Sequence, residues 1–222
     1  MIKAVIFDMF ETLITLFQSP LYFGSQMAKD AGIPEDKFQE LWRPTENART
    51  IGDITLEGAL EMILKENHCY SEELLNSIVA KRVAAKEDCF HHLHPEIMPM
   101  FDGLKKKGVL IGLISNCFSE EADAIRKSVL SPYFDAMYLS YEQGVQKPDI
   151  IIFKRCIEEL SVNAEECIYI GDGGSFELET AKELGMHAMQ AVWYLQEGTT
   201  QPAKRKPDFL HIERPLDLLT YL

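Results

Sequence analysis

Short, nearly continuous apolar runs alternate along most of this chain with longer stretches in which apolar positions recur every three or four residues. The runs Ile2–Phe7, Val109–Ser115 and Cys167–Ile170 have the pattern of strands buried on both faces of a parallel sheet. Ala136–Ser140 and Ala188–Trp193 follow the same pattern. Between them, Pro95–Lys107 stops at Gly108, a residue that caps helices, and Ser119–Leu130 opens on Ser-Glu-Glu. Pro148–Leu160 carries proline in its first turn, and Ser175–Leu184 stops at Gly185. Strands alternating with helices predict a doubly wound, Rossmann-like α/β core with a parallel sheet.

Residues 15–88 break the alternation. They read as helices only, over roughly Pro20–Ala31, Pro34–Asn47, Thr55–Asn67 and Ser71–Asp88, with Leu56, Leu60, Ile63 and Leu64 on one amphipathic face. The expected organisation is therefore a core of residues 1–14 and 89–222 with a helical cap, residues 15–88, inserted after the first strand. The tail from Glu197 to Pro207 is polar and loop-like, followed by a candidate edge strand at Asp208–Ile212 and a short final helix.

Composition narrows the partners. Hydrophobic residues make up 46% and charged residues 26%, ordinary for a globular domain with a real core. A net charge of −13 leaves no basic surplus to neutralise nucleic-acid phosphates. An anionic small molecule then needs local positive charge from a few side chains or a bound cation. No stretch of 18 apolar residues predicts a membrane span, and the first residues lead straight into a strand pattern without a secretory signal. Cys69, Cys89, Cys117, Cys156 and Cys167 are scattered and form no CxxC pair, which argues against disulfides and zinc. A cytoplasmic protein is expected.

Ligands of open α/β sheets bind beyond the carboxyl ends of the strands. Four polar signals fall there, in chain order. Asp8 opens Asp8-Met9-Phe10-Glu11-Thr12-Leu13, Ser115-Asn116 closes the second strand, Lys147-Pro148-Asp149 follows the third, and Gly171-Asp172-Gly173-Gly174 follows the fourth. Each alone is weak, since a strand-ending Asp is usually a loop cap. Four in succession resemble the four motifs of the haloacid dehalogenase-like superfamily over nearly the whole chain, and the helical insert is similar to that of its helical-cap branch.

The resemblance implies a hydrolase. Its pattern maps onto Asp8 and Thr12, Ser115, Lys147, and Asp172 with Glu177. Asp8 would attack the substrate and form a covalent aspartyl intermediate that water cleaves. Mg²⁺ would be held by Asp8, the backbone carbonyl of Phe10 and Asp172, with Glu177 either reaching the metal's water or orienting Lys147. Ser115, Asn116 with its neighbouring backbone N–H groups, and Thr12 would hold phosphoryl oxygens, and Lys147 would supply a fixed charge.

Phosphatases of this superfamily usually have a second Asp, a proton donor, where this chain has Phe10. Three readings account for it. A phosphatase could act on a leaving group that needs little protonation, or with Glu11 or another group substituting. A carbon–halogen hydrolase commonly has an aromatic residue there, because halide leaves without a proton. A catalytically weak protein could simply bind a metabolite or partner. Dehalogenases need no metal and tend to lack the Gly-Asp pair, whereas Gly171-Asp172 is present, so hydrolysis of a small phosphorylated metabolite is the leading expectation.

Other residues have plainer readings beside the functional one. His91, His92 and His94 could suggest a metal site but suit a hinge with incidental histidines. Arg43 and Arg49 in the insert could reach a substrate anion or be surface residues. Phe17, Tyr22, Phe23 and Trp42 could line a pocket, or pack. Gly173-Gly174 is no P-loop, because no Gly-Lys-Ser/Thr follows.

Overall fold

The computed structural model of the chain describes residues 1–195 and 204–222. Of the polar stretch expected as a loop, residues 197–203 lie outside the described residues. The strands are β1 (Ala4–Phe7), β2 (Leu110–Ser115), β3 (Ala136–Leu139), β4 (Cys167–Gly171), β5 (His187–Ala191) and β6 (Leu210–Ile212). They form one sheet in the order β3-β2-β1-β4-β5-β6, and every adjacent pair is parallel. The candidate edge strand is therefore β6, shorter than expected.

The insert contains α1 (Gly24–Ala31), α2 (Glu35–Trp42), α3 (Glu46–Thr50), α4 (Leu56–Glu66) and α5 (Glu72–Asp88). The sequence predicts one helix over Pro34–Asn47, but Pro44, with no N–H to donate, falls in a 3-10 turn that separates α2 from α3. Thr55 and Ser71 cap α4 and α5 by accepting from Gly58 N and Leu74 N, both at 3.1 Å. The core helices are α6 (Ile97–Lys106), α7 (Ser119–Lys127), α8 (Ser140–Gln143), α9 (Ile150–Leu160) and α10 (Glu177–Glu183). The expected final helix is a 3-10 segment, Pro215–Tyr221.

Strand periodicity divides the core. In β1, Val5 and Phe7 face one apolar layer, with Phe101 of α6 and Ile125 of α7. Ala4 and Ile6 face the other, with Phe153 of α9 and Leu178 of α10. Helices thus cover both faces, which is why the core strands read as continuous apolar runs. The insert has its own apolar cluster, built on Phe38, Leu60, Ile63 and Ile78. All five cysteines are free. No helix among the described residues is long and apolar enough to cross a membrane.

Candidate active site

Strand order reverses at β1, whose two neighbours are β2 and β4. Crossovers leave β1 in opposite directions there, opening a crevice at the strand tips. Asp8 stands one residue past β1 and Asp172 one past β4, and Asp8 N donates to Ile170 O at 3.0 Å. Ligand atoms of Asp8, Asp172 and Glu177 come within 4.8 Å of one another. All three residues are buried.

Lys147 lies at the centre. Its Nζ donates to Asp8 Oδ1 at 2.6 Å and to Glu177 Oε2, and approaches the Tyr169 hydroxyl at 3.3 Å. The residue, expected just past β3 at the start of a helix, lies eight residues beyond that strand and three before α9 begins. The short helix α8 intervenes, and Lys147 occupies the following loop. Asn116 places it there: its Oδ1 accepts from Lys147 N at 2.7 Å and its Nδ2 donates to Lys147 O at 3.0 Å. The Asn116 side chain thus holds the Lys147 backbone, and its Nδ2 also lies 3.4 Å from Ser175 Oγ.

Glu177, expected either at a metal or on Lys147, bonds Lys147 and also belongs with Asp8 and Asp172 to the group that could hold an ion. Oε2 also accepts from Tyr169 Oη at 2.8 Å, and Oε1 accepts from Gly173 N at 3.2 Å. Left-handed backbone at Ser175 (φ 51°) and Phe176 (φ 52°) delays the start of α10 to Glu177 and turns that side chain back under the strand tips. Gly171 makes room for it. A Cβ at Gly171 would overlap Glu177 Oε1 and stand 2.7 Å from its Cδ and 3.3 Å from the Asp8 Cβ. Gly171→Ala is expected to displace Glu177 and lower the melting temperature by roughly 2–10 °C, the effect of about 1–3 kcal/mol of overpacking. A melting temperature equal to that of the unaltered protein would contradict this.

Electrostatics follow from the crowding. Burial, then Glu177, push the Asp8 carboxyl up to about 7 against the pull of Lys147. Burial, then Glu177 and Asp8, push Asp172 well above the carboxylate range. Burial opposes the charge on Lys147, but Asp8 and Glu177 outweigh it and hold its pKa above the ordinary value. With all three carboxyls ionised, one ammonium would leave two negative charges uncompensated, and the raised pKa values of Asp8 and Asp172 reflect that cost. An all-oxygen donor set with that deficit fits a hard divalent cation.

The remaining expected residues fall as follows. Ser115 is fully buried, and its hydroxyl reaches only the Asn116 carbonyl, at 3.4 Å. The Thr12 hydroxyl is buried without a hydrogen-bond partner among the described residues, while its carbonyl accepts from Trp193 Nε1 at 2.8 Å. Phe10 is half-buried, with the Lys86 ammonium 5.7 Å from its ring centre. The Glu11 carboxylate accepts from Thr15 Oγ1 at 2.7 Å and Leu16 N at 2.8 Å, closing the turn that follows. His91 and His92 contact Asp88 at 3.6 and 3.1 Å, and His94 packs on Tyr194. Among the described residues the histidines join no group suited to a metal.

A cavity of about 570 Å³ reaches Lys147 and Asn116 and is walled on the insert side by Arg43, Asn47 and Thr50. A second, of about 340 Å³, shares Arg43, Glu46, Phe118 and Glu121 with it and adds Phe23, Trp42, Arg49, Arg82 and Lys86. Arg43 and Arg49, singled out in the sequence, thus both face cavities, as do Phe23 and Trp42. Two features escaped the sequence reading. Tyr169 is hidden in an apolar strand run. Arg82 and Lys86 bind Glu120 and Glu121 at 3.0 and 2.6 Å across the junction of α5 and α7. Their signal was the four-residue spacing of two cations on one helix; Glu120 and Glu121 look like ordinary first-turn acids.

The family model for haloacid dehalogenase-like hydrolases matches residues 2–185. The chain is 25% identical to the glyceraldehyde 3-phosphate phosphatase of Methanopyrus kandleri, an alignment covering 99% of this chain and 96% of the relative. Among solved structures, a HAD phosphatase from Thermococcus onnurineus superposes with a TM-score of 0.67 at 20% identity, over 99% of this chain and 97% of that one. A 2-haloacid dehalogenase from Pseudomonas syringae gives 0.68 at 21%, over 98% and 96%. These near-equal structural likenesses carry the fold and do not separate the two chemistries. Matched by the family model over most of its length and carrying a buried carboxylate at the switch point of its sheet, the chain belongs to the haloacid dehalogenase-like hydrolase family.

Proposed function

We propose that this hydrolase is a Mg²⁺-dependent phosphatase of a small phosphorylated metabolite, working through an aspartyl-phosphate on Asp8. The observation that carries this reading is the charge deficit at the strand tips, where, among the described residues, Asp8, Asp172 and Glu177 have only Lys147 as a cationic partner. A dehalogenase has no use for that deficit. Asp8, Asp172 and the Phe10 carbonyl would hold the cation. When bound, it supplies the positive charge that offsets repulsion between Asp8 and a phosphoryl group.

The chain's own residues do the rest. Lys147 pulls Asp8 toward its ionised form and aims it, and Glu177 and Asn116 fix Lys147. Ser115 and Thr12 supply hydroxyls at the phosphoryl oxygens. Residues 15–88 act as a cap over a core of 1–14 and 89–222, excluding water during transfer to Asp8. With Glu11 tied into its own loop, no side chain on the nucleophile loop replaces the acid missing at Phe10. Substrates with good leaving groups are therefore favoured.

Phe10→Asp tests this account. General acid help is worth about 10²–10⁴-fold, so kcat on alkyl phosphates should rise by at least about tenfold and more than on aryl phosphates, whose leaving groups need no proton. Steady-state phosphate release on a matched alkyl and aryl pair reads the difference. Equal gains on both would contradict the leaving-group explanation.

A further inference from the structure

We infer that the cap-side cavity is a subsite for a second anion, so that the substrate is a phosphate monoester with a carboxylate at its far end, bound by Arg49. The inference rests on the phosphatase reading and extends it to substrate class. Five charged side chains, Arg49, Arg82, Lys86, Glu120 and Glu121, meet at this junction, each no more than 5% exposed. Arg82 pairs with Glu120 at 3.0 Å and lies 3.7 Å from Glu121, which Lys86 holds at 2.6 Å. Three cations and two carboxylates leave a surplus of one positive charge. Arg43 and Glu46, exposed on the wall shared by the two cavities, offset each other.

The surplus resides on Arg49. Its Nε donates to Thr45 Oγ1 at 2.9 Å, a neutral partner, and its Nη1 is buried with no partner. No carboxylate of the described residues lies within ion-pair distance of it, whereas a buried guanidinium is normally paired. Its faces are covered by the rings of Trp42 and Phe118, with centres 3.6 and 4.2 Å from Cζ. Stacking on both faces leaves the edge of the fork for recognition, and a planar carboxylate matches that edge through two parallel hydrogen bonds. Burial lowers the Arg49 pKa to about 10, still charged at neutral pH, and an incoming carboxylate would restore the lost solvation. The cavity holding Arg49 adjoins the one reaching Lys147, so one short molecule can present a phosphoryl group beside Lys147 and a carboxylate to Arg49.

The test is equilibrium binding by calorimetry to the Asp8→Asn protein in magnesium buffer. The ligands are 3-phosphoglycerate and its shorter homologue 2-phosphoglycolate, each against the alcohol counterpart, glycerol 3-phosphate or 2-hydroxyethyl phosphate. At least one carboxylated member should bind about tenfold or more tightly than its counterpart, and adding Arg49→Gln should bring that ratio to within about threefold. Arg49→Lys, which keeps the charge and loses the fork, should retain part of it. Equal affinity within both pairs, no binding by any ligand, or discrimination that survives Arg49→Gln overturns the subsite. If Arg49→Gln does not fold, the comparison of ligands on Asp8→Asn decides alone. Failure of the phosphatase reading shows separately, as no phosphate release from an aryl phosphate by the unaltered protein, and leaves the binding ratio readable.

Discussion

Asp8→Asn should abolish magnesium-dependent release of phosphate from an aryl phosphate, with a loss on the order of 10⁴-fold or more, as removal of a covalent nucleophile commonly costs. That is about 5 kcal/mol or more of lost transition-state stabilisation at 1.36 kcal/mol per decade. An amide of the same shape fills the space beside Lys147 but is a far weaker nucleophile. The same substitution should not destabilise the metal-free protein. The folded-state pKa of Asp8 is raised from 3.8 to about 7, so the native state binds more protons than the unfolded chain between those values. The stability associated with the protonated carboxyl is present below pH 4 and is lost as pH rises through 7. At pH 8 without magnesium, the Asn variant should therefore melt at or above the temperature of the unaltered protein. Phosphate assays and thermal melts on one preparation read both results. Retained activity would remove Asp8 from the mechanism, and a collapsed melting temperature would mean that the lost activity says nothing about chemistry.

Lys147→Met should have the largest effect on stability. Methionine matches the stem of the lysine but leaves Asp8, Asp172 and Glu177 with no buried cation. Breaking a buried pair by removing one partner costs about 3–5 kcal/mol. For a chain of this size, that lowers the melting temperature by roughly 6–20 °C. Because Asp8 and Asp172 both have raised pKa values, the loss should be smaller at pH 5, where they carry protons, than at pH 8. Added Mg²⁺ should recover part of it at pH 8 by binding the native state. Activity should fall as well, since Asp8 loses the contact that aims it. A melting temperature unchanged at both pH values would show that the acids are better solvated than their burial implies.

Both experiments address the same physical balance. With its carboxyls ionised the site has two negative charges in excess, which lowers stability and suits an anion only after a cation joins it. The cavity lined by Arg49 has the opposite sign, with one positive charge in excess. Under the proposed reading a phosphorylated acid would satisfy both ends.

Most of the architecture was legible in the amino-acid order because parallel strands buried on two faces must be apolar throughout, and Ile2–Phe7, Val109–Ser115 and Cys167–Ile170 are. The helical insert was legible because amphipathic spacing such as Leu56, Leu60, Ile63 and Leu64 has only one economical packing. Strand-end acids at Asp8 and Asp172 followed from the rule that ligands gather beyond strand tips. Helix boundaries were less visible: Pro44 breaks a helix that periodicity continues, and left-handed turns at Ser175 and Phe176 delay another. What only the tertiary structure decided is who partners whom. Sequence spacing carries local periodicity, whereas Lys147 bridging Asp8 and Glu177, Asn116 clamping Lys147, and Arg82 and Lys86 meeting Glu120 and Glu121 all join residues from separate elements. Such pairs form because burying a charge is costly until another arrives, and arrival depends on how helices pack over the sheet rather than on any short pattern along the chain.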